Sequence, residues 1–305
     1  MRILLAGGAG FLGSHLAEAL VERGDSVTIV DNLSSGLSAN ISKVDKKVKF
    51  LNDDVSTYRT DATFDLVMNL ASRASRREWE TFPVEVAKTN ALGTDNLINI
   101  ALRSKAKFLL ASTSEIYGNP DVVPTPECYI GRVSSTGSRS PYDEGKRFAE
   151  ALVKSYESQY ALDSIIIRFF NTYGPRMRGG DLYGRVIDRF LQQAMQNIPL
   201  TVYGSGMQTR SFTYVSDTVS AILKVIDNWK SREIYNVGSD HETRIIDLAR
   251  MIIKVTESNS TIIQKEMPPD DPLRRAADVS KIKKIGWKQE INLEEGLKLM
   301  LPNVN

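Results

Sequence analysis

The sequence predicts an α/β fold, a doubly wound parallel sheet followed by a smaller C-terminal α/β unit. Short aliphatic runs alternate with longer helical stretches through the first half, and the rhythm changes after about residue 170. The runs also lack a two-residue alternation, as strands buried on both faces do. Alternation of this kind builds repeated βαβ units around one sheet. The strand candidates are residues 3–6, 27–30, 48–51, 66–70, 108–111 and 165–167. Between them, Leu12, Leu16, Ala19 and Leu20 form one helical stripe, which stops at Gly24, a helix-ending residue. Leu97, Ile100 and Ala101 form a second stripe; Phe148, Leu152, Val153 and Tyr156 form a third. Residues 171–184 carry five glycines or prolines among polar side chains, the composition of a long functional loop. Helices are expected over 186–197 and 215–229, flanking a short strand at 201–203. A further buried strand is expected at 234–237, then helices over 245–255 and 294–300.

Composition narrows the chemistry. With 42% apolar and 25% charged residues over 305 positions, the chain is an ordinary globular sequence with enough residues for a sizeable core. The balance of 39 basic against 37 acidic side chains gives no field strong enough to draw nucleic acid or an anionic membrane, so neither partner is expected. No apolar run approaches the roughly 20 residues of a membrane span. Residues 1–5 run into glycines rather than a longer apolar stretch, so no secretory leader is expected and the location is read as cytoplasmic. A single cysteine, Cys128, excludes intrachain disulfides and a Cys-built metal site, and two histidines, His15 and His241, make zinc chemistry unexpected. The chemistry must therefore come from hydroxyls, carboxylates, lysine, arginine or a bound cofactor, with no metal.

The first strand runs straight into Gly7-Gly8-Ala9-Gly10-Phe11-Leu12-Gly13, and a helix is expected to open at Ser14. Glycines at 7, 10 and 13 allow a tight turn, close backbone approach to a pyrophosphate and close helix–strand packing, while the helix N-terminus offers unpaired N–H groups to phosphate. Such a pattern alone is weak. Here a strand precedes it, a helix follows, and Asp31 stands eighteen positions past Gly13 at the end of the next strand. A carboxylate there suits a ribose 2′-hydroxyl and repels a 2′-phosphate, which favours NAD over NADP. Asp54, after the third strand, either reaches the adenine or simply caps a turn. The expected division is a Rossmann dinucleotide domain over 1–170, with a returning segment about 212–237, and a substrate domain over 171–305.

The fifth strand ends in Ser112-Thr113-Ser114-Glu115, at the carboxyl edge where open α/β sheets bind ligands. Further on stands Tyr142-Asp143-Glu144-Gly145-Lys146. If this segment opens a helix, Tyr142 and Lys146 lie one turn apart on one face. A neighbouring ammonium favours the phenolate of a tyrosine whose free pKa is about 10, which suits Tyr142 to accept a proton.

Gly7-x-x-Gly10-x-x-Gly13 with Tyr142-x-x-x-Lys146 resembles the extended short-chain dehydrogenase/reductase superfamily, in its nucleotide-sugar branch. Longer strings resemble that branch's UDP-glucuronate decarboxylases: Ala111-Ser112-Thr113-Ser114-Glu115-Ile116-Tyr117-Gly118, Tyr142-Asp143-Glu144-Gly145-Lys146-Arg147, Asn171-Thr172-Tyr173-Gly174-Pro175-Arg176-Met177 and residues 200–217. Asp270-Asp271-Pro272 with Arg274-Arg275, then Gly286-Trp287, belong to the same set. The likeness runs over essentially the whole chain.

The resemblance implies one NAD that serves as both oxidant and reductant. Tyr142, helped by Lys146 and Thr113, would take the proton of the sugar 4-hydroxyl; the new ketone would let CO2 leave from the neighbouring carbon; re-reduction would give UDP-xylose. Ser114 and Glu115 join the catalytic set, Glu115 as second acid and Arg275 as its basic partner. In the related 4-epimerases the position of Glu115 is usually a small or hydroxyl residue, and in the 4,6-dehydratases the acid is preceded by Asp rather than Ser114. The cofactor is expected on Gly7, Gly10, Phe11, Leu12, Gly13, Asp31, Asn32, Asp54, Leu70, Ala71, Ser72, Asn90, Ser112, Tyr142 and Lys146. The UDP-sugar is expected on Asn171, Arg176, Val186, Thr201, Tyr203, Arg210 and Arg275. Arg178, Arg185 and Arg274 are read as surface or structural. Arg73, Arg76 and Arg77 stand where the decarboxylases carry a proline-rich stretch; they either meet a uronate carboxylate or open a charged helix. The helices around residues 92–102 and 148–156 resemble those through which the superfamily forms homodimers by a four-helix bundle. Two other functions stay open: a UDP-glucose/galactose 4-epimerase, and an NAD-binding regulator without catalysis.

Overall fold

The computed structural model describes residues 1–177, 186–267 and 272–301. Arg178, Arg185 and the Asp270–Asp271 pair lie outside the described residues, as does the second half of the loop expected over 171–184. In chain order, β1 (Arg2–Ala6), α1 (Phe11–Glu22), β2 (Ser26–Val30), β3 (Lys49–Leu51) and β4 (Leu66–Asn69) come first. Two short helices follow, α2 (Arg76–Thr81) and α3 (Pro83–Lys88), then α4 (Thr94–Ser104), β5 (Lys107–Thr113), α5 (Ser140–Tyr160) and β6 (Ser164–Phe169). After these stand β7 (Thr172–Tyr173), α6 (Val186–Met195), β8 (Leu200–Tyr203), β9 (Thr209–Ser211), β10 (Thr213–Tyr214), α7 (Val215–Asp227) and β11 (Ile234–Val237). The remaining elements are β12 (Glu242–Arg244), α8 (Ile245–Val255), β13 (Ile262–Lys265), β14 (Arg274–Arg275), α9 (Ser280–Lys283) and α10 (Leu293–Leu299).

Contacts divide the chain into two compact units. One comprises Met1–Ile116, Val133–Arg168 and Ile222–Tyr235; the other comprises Tyr117–Arg132, Phe169–Ala221 and Asn236–Asn305. The first is built on a seven-stranded parallel sheet in the order β11-β6-β5-β4-β1-β2-β3. The winding reverses between β1 and β4, and a sheet of this kind takes its ligand outside the strand ends at such a point. The sheet is apolar on both faces because helices cover both: Leu4, Leu5, Val67, Phe108, Leu109 and Ile166 are fully buried.

Two helices differ from their sequence expectation. α1 opens at Phe11, not Ser14, because Gly10 already serves as its N-cap and the Ser14 N–H reaches the Gly10 carbonyl at 3.0 Å. Its buried face is Gly13, Ser14, Leu16, Ala17 and Leu20, with Leu12 and Ala19 at the margin. In α5 the buried face is Tyr142, Asp143, Lys146, Ala149, Glu150, Val153 and Glu157. Phe148 of the expected stripe is 52% exposed, since charged side chains with buried partners take the inner face instead.

The domain boundaries differ as well. Residues 117–132, expected in the first domain, belong to the second unit: Tyr117 Oη donates to Asn236 Oδ1 at 2.8 Å, and the Thr125 N–H donates to the Ala276 carbonyl at 2.9 Å. The segment returning to the first unit is Ile222–Tyr235, shorter than the expected 212–237. The second unit holds small sheets: β9 pairs with both β12 and β14, β8 with β13, and β7 with β10. No helix among the described residues is long and apolar enough to cross a membrane.

Candidate active site

The glycine turn after β1 is sterically closed to side chains. Gly7 has φ +78°, and a Cβ there would lie 2.7 Å from the backbone of Leu70 and Ala71; one on Gly13 would enter the van der Waals shell of the Gly7 carbonyl. Phe11 and Leu12 form the first turn of α1, whose N–H groups have no intrahelical acceptor. Asp31 is fixed across the turn: Oδ2 accepts from the Ala9 N–H at 3.0 Å and Oδ1 from the Leu33 N–H at 2.9 Å. Burial pushes its pKa up, against the pull of those two amides. Asn32 donates to Asp54 Oδ2 at 2.8 Å, which ties the ends of β2 and β3 together. One cleft is lined by Gly7, Gly10, Asp31, Asn32, Leu70, Ala71 and Ser72 of the expected set, by Arg73, which the sequence offered for a carboxylate rather than for the cofactor, and by Ser34, Ser35, Val55 and Thr89, which sequence reasoning missed. Ser34, Ser35 and Val55 follow strand ends closely, which was their only signal, and Thr89 had none.

Asn90 lies in a π-helical turn, Thr89–Gly93, just ahead of α4. Such turns insert a residue and re-aim the side chains around it. Asn90 is buried; its Oδ1 accepts from Ser72 Oγ at 2.9 Å, while its Nδ2 has no partner among the described residues. An unmet donor of this kind costs about 1–3 kcal/mol unless a ligand takes it. Gly145 of α5 permits the close approach, since a Cβ there would stand 3.2 Å from the Asn90 side chain.

The end of β5 and the first half of α5 come together in the same unit. Tyr142 and Lys146 lie one turn apart on the buried face of α5, and Glu150 follows one turn further on. Lys146 Nζ donates to the Ala111 carbonyl at 2.8 Å. Burial pulls the ammonium down to about 8, with the Glu150 carboxylate holding it up. Glu150 accepts from Ser112 Oγ at 2.5 Å and from both Nε (3.0 Å) and Nη2 (2.7 Å) of Arg168. That buried network joins β5, α5 and β6, so the lysine sits on a rigid base. Tyr142 stacks on Trp79 of α2, with centroids 4.5 Å apart and planes 14° from parallel. The Glu115 N–H donates to Thr113 Oγ1 at 3.2 Å, its carboxylate pairs with Arg139, and Ser114 is buried beside it. Arg139, Trp79, Glu150 and Arg168 were not singled out in the sequence. Glu150 could have been, because it continues the four-residue spacing of Tyr142 and Lys146.

Arg73 and Arg76 are engaged locally: Arg73 pairs with Glu78 at 3.4 Å and covers the Phe82 ring, and Arg76 pairs with Glu80 at 3.0 Å. With exposed Arg77 they make the charged start of α2. His15 packs edge-on against Phe11, and His241 and Cys128 are exposed.

In the second unit, Arg210 and Arg275 are cross-strand partners on β9 and β14, and both are buried. Like charges directly opposite destabilise a ladder, and an anion relieves that cost. Asn171 Nδ2 donates to the Ser211 carbonyl of β9 at 2.9 Å, so Asn171 and Arg275 both meet the strand that carries Arg210. Thr201 and Tyr203 lie on β8 with α6 beside them: Gln193 bonds both N–H and Oγ1 of Thr201, and Arg189 covers the Tyr203 ring at 4.9 Å. Arg176 is half-buried with φ +67°, and Val186 is the first residue of α6.

The model of the NAD dependent epimerase/dehydratase family matches residues 3–238. The chain belongs to that family. UDP-glucuronic acid decarboxylase 1 of Arabidopsis thaliana is 41% identical over 308 residues, spanning 99% of this chain and 69% of that protein. Among solved structures, the UDP-glucose 4-epimerase of Thermotoga maritima with UDP-glucose superposes with TM-score 0.89 at 29% identity, over 98% of this chain and 97% of that one. The UDP-glucose 4-epimerase of Thermus thermophilus in complex with NAD gives TM-score 0.87 at 28% identity, with the same coverage. The family thus has the doubly wound architecture that strand–helix alternation predicted.

Proposed function

We propose that this chain is an NAD-dependent decarboxylase that converts UDP-glucuronate to UDP-xylose. The observation that carries this is the 41% identity, over 99% of the chain, to a protein named as a UDP-glucuronic acid decarboxylase. The glycine cradle, the oriented Asp31 carboxylate and the buried, unmet Nδ2 of Asn90 all suit NAD. Gly7, Gly10, Gly13 and the first turn of α1 would hold its diphosphate, Asp31 a ribose, and Asn90 with Ser72 a further polar group. When bound, NAD supplies an acceptor for the sugar C4 hydride and later returns it.

The chain's own residues supply the proton chemistry. Tyr142 takes the 4-hydroxyl proton as the ketone forms and gives it back at the end; Lys146, charged at neutral pH, stabilises the phenolate in between. Thr113 orients the hydroxyl. Once C4 is a ketone, the C5–CO2 bond breaks with its electron pair delocalised into that carbonyl, and C5 then takes a proton. Glu115, with Ser114 and Arg275, serves these later steps. The net reaction consumes one proton and releases one CO2. Arg210 and Arg275 would hold the UDP diphosphate, a dianion matched to two adjacent guanidinium groups. Asn171, Arg176, Val186, Thr201 and Tyr203 make up the rest of the substrate set.

Exposed apolar side chains at Phe148 on α5 and Leu92 ahead of α4 support a homodimer built from these helices of two copies as a four-helix bundle. An unpaired, exposed thiol at Cys128 suits a cytoplasmic location. Incubation of the purified chain with UDP-glucuronate tests the reading: CO2 and a UDP-pentose are expected. Interconversion of UDP-glucose and UDP-galactose without attack on UDP-glucuronate would instead establish the 4-epimerase, a reading favoured by the solved structural neighbours.

A further inference from the structure

Glu115 follows β5 and Tyr142 stands in the first turn of α5, so two acid–base candidates come from separate elements. Arg139 joins them. Its carbonyl accepts from the N–H groups of Tyr142 (3.1 Å) and Asp143 (3.0 Å), which starts α5. Its guanidinium pairs with the Glu115 carboxylate, and Nε donates to Asp143 Oδ2 at 3.3 Å. The same guanidinium lies 5.2 Å from the centre of the Trp79 ring, and Trp79 is the residue stacked on Tyr142. Both partners are well shielded, with side chains 19% and 17% exposed, so the pair is harder to replace by water than a surface ion pair.

We propose that Arg139 is a positioning residue that locks Glu115 to the turn carrying Tyr142, so that strand acid and helix base act as one rigid unit. The proposal rests on the acid–base roles given above to Tyr142 and Glu115. The physical reason is geometric. A planar guanidinium can pair edge-on with carboxylates while its face covers an indole, which an ammonium cannot do. Without it, Glu115 and Asp143 would meet as uncompensated like charges, and Glu115 would turn away from the site.

A double-mutant cycle on the NAD-loaded chain decides this: Arg139→Gln, Glu115→Gln and the double variant, assayed for kcat and KM with UDP-glucuronate. Arg139→Gln is expected to lower kcat at least ~30-fold with KM within ~3-fold, yet to change kcat less than ~3-fold in the Glu115→Gln background. Arg139→Lys, which restores charge without the fork, should recover only part of the loss. Equal losses in both backgrounds, or none in either, would overturn the proposal. Urea unfolding of the same four proteins reads the tie without substrate. A non-additive cycle is expected there, and an additive one overturns the proposal even if wild type leaves UDP-glucuronate untouched, a result that would sink the decarboxylase reading alone.

Discussion

Lys146 carries a cost that can be measured. Its ammonium is held at about 8, against an ordinary value of 10.5, because it is buried on the sheet side of α5. A folded pKa below the unfolded one means that the charged form is penalised in the native state. Below about pH 8 the penalty is present in full, at roughly 3 kcal/mol for a shift of this size. It is relieved as pH rises from about 8 towards 10.5, where the unfolded chain binds more protons than the native one. Lys146→Met keeps the apolar stem and removes the titration. Integrating the two pKa values, wild type should gain about 2 kcal/mol of stability between about pH 7 and pH 9.5 that the variant does not gain. At neutral pH the loss of the 2.8 Å bond to the Ala111 carbonyl offsets part of the relieved penalty. Lys146→Met should therefore be at least as stable as wild type while losing turnover by ~10²-fold or more. Urea titrations of both proteins at the two pH values give the difference directly. A stability gap that stays the same at both pH values would refute the assignment of a strained, buried ammonium.

Three further outcomes are expected. Tyr142→Phe keeps its stacking on Trp79 and should retain NAD but lose ~10²–10⁴ in kcat, as judged by bound nucleotide against product formation. Gly13→Ala forces a Cβ against the Gly7 carbonyl and should abolish co-purification of NAD; a variant that keeps a full complement of nucleotide would contradict the cradle. Arg275→Met removes one of two opposed guanidinium groups on β9 and β14, so UDP affinity measured by calorimetry should fall ~10-fold or more, with NAD binding unchanged.

Legibility in the sequence followed the strength of local patterning. The sheet was readable because its strands are short, apolar and separated by helical spacings, and β1 with its glycines could be placed almost to the residue. The start of α1 was misplaced by three residues because a glycine N-cap lacks the usual side-chain signature. The α5 stripe was misjudged for a different reason. Apolar spacing located Phe148 inside, whereas Asp143, Lys146, Glu150 and Glu157 are among the residues buried, each with a hydrogen-bonding or ion-pair partner in the fold. Tyr142 and Lys146 were visible as a four-residue spacing. Trp79, Arg139 and Arg168 were not, because stacking and ion pairing across separate elements leave no periodic trace in the chain. The π-helical turn that carries Asn90 and lies against Gly145 was hidden for the same reason, having no periodic signature in the chain. Residues 117–132 joined the second unit through hydrogen bonds to Asn236 and Ala276, more than a hundred positions away.

The central claim is that electrons leave the hexose at C4 and come back to that same carbon. UDP-glucuronate deuterated at C4, turned over in ordinary water, should give a UDP-pentose with the deuterium still at C4 and solvent hydrogen at C5. Deuterium lost to water, or loss of CO2 with C4 never oxidised, would contradict it.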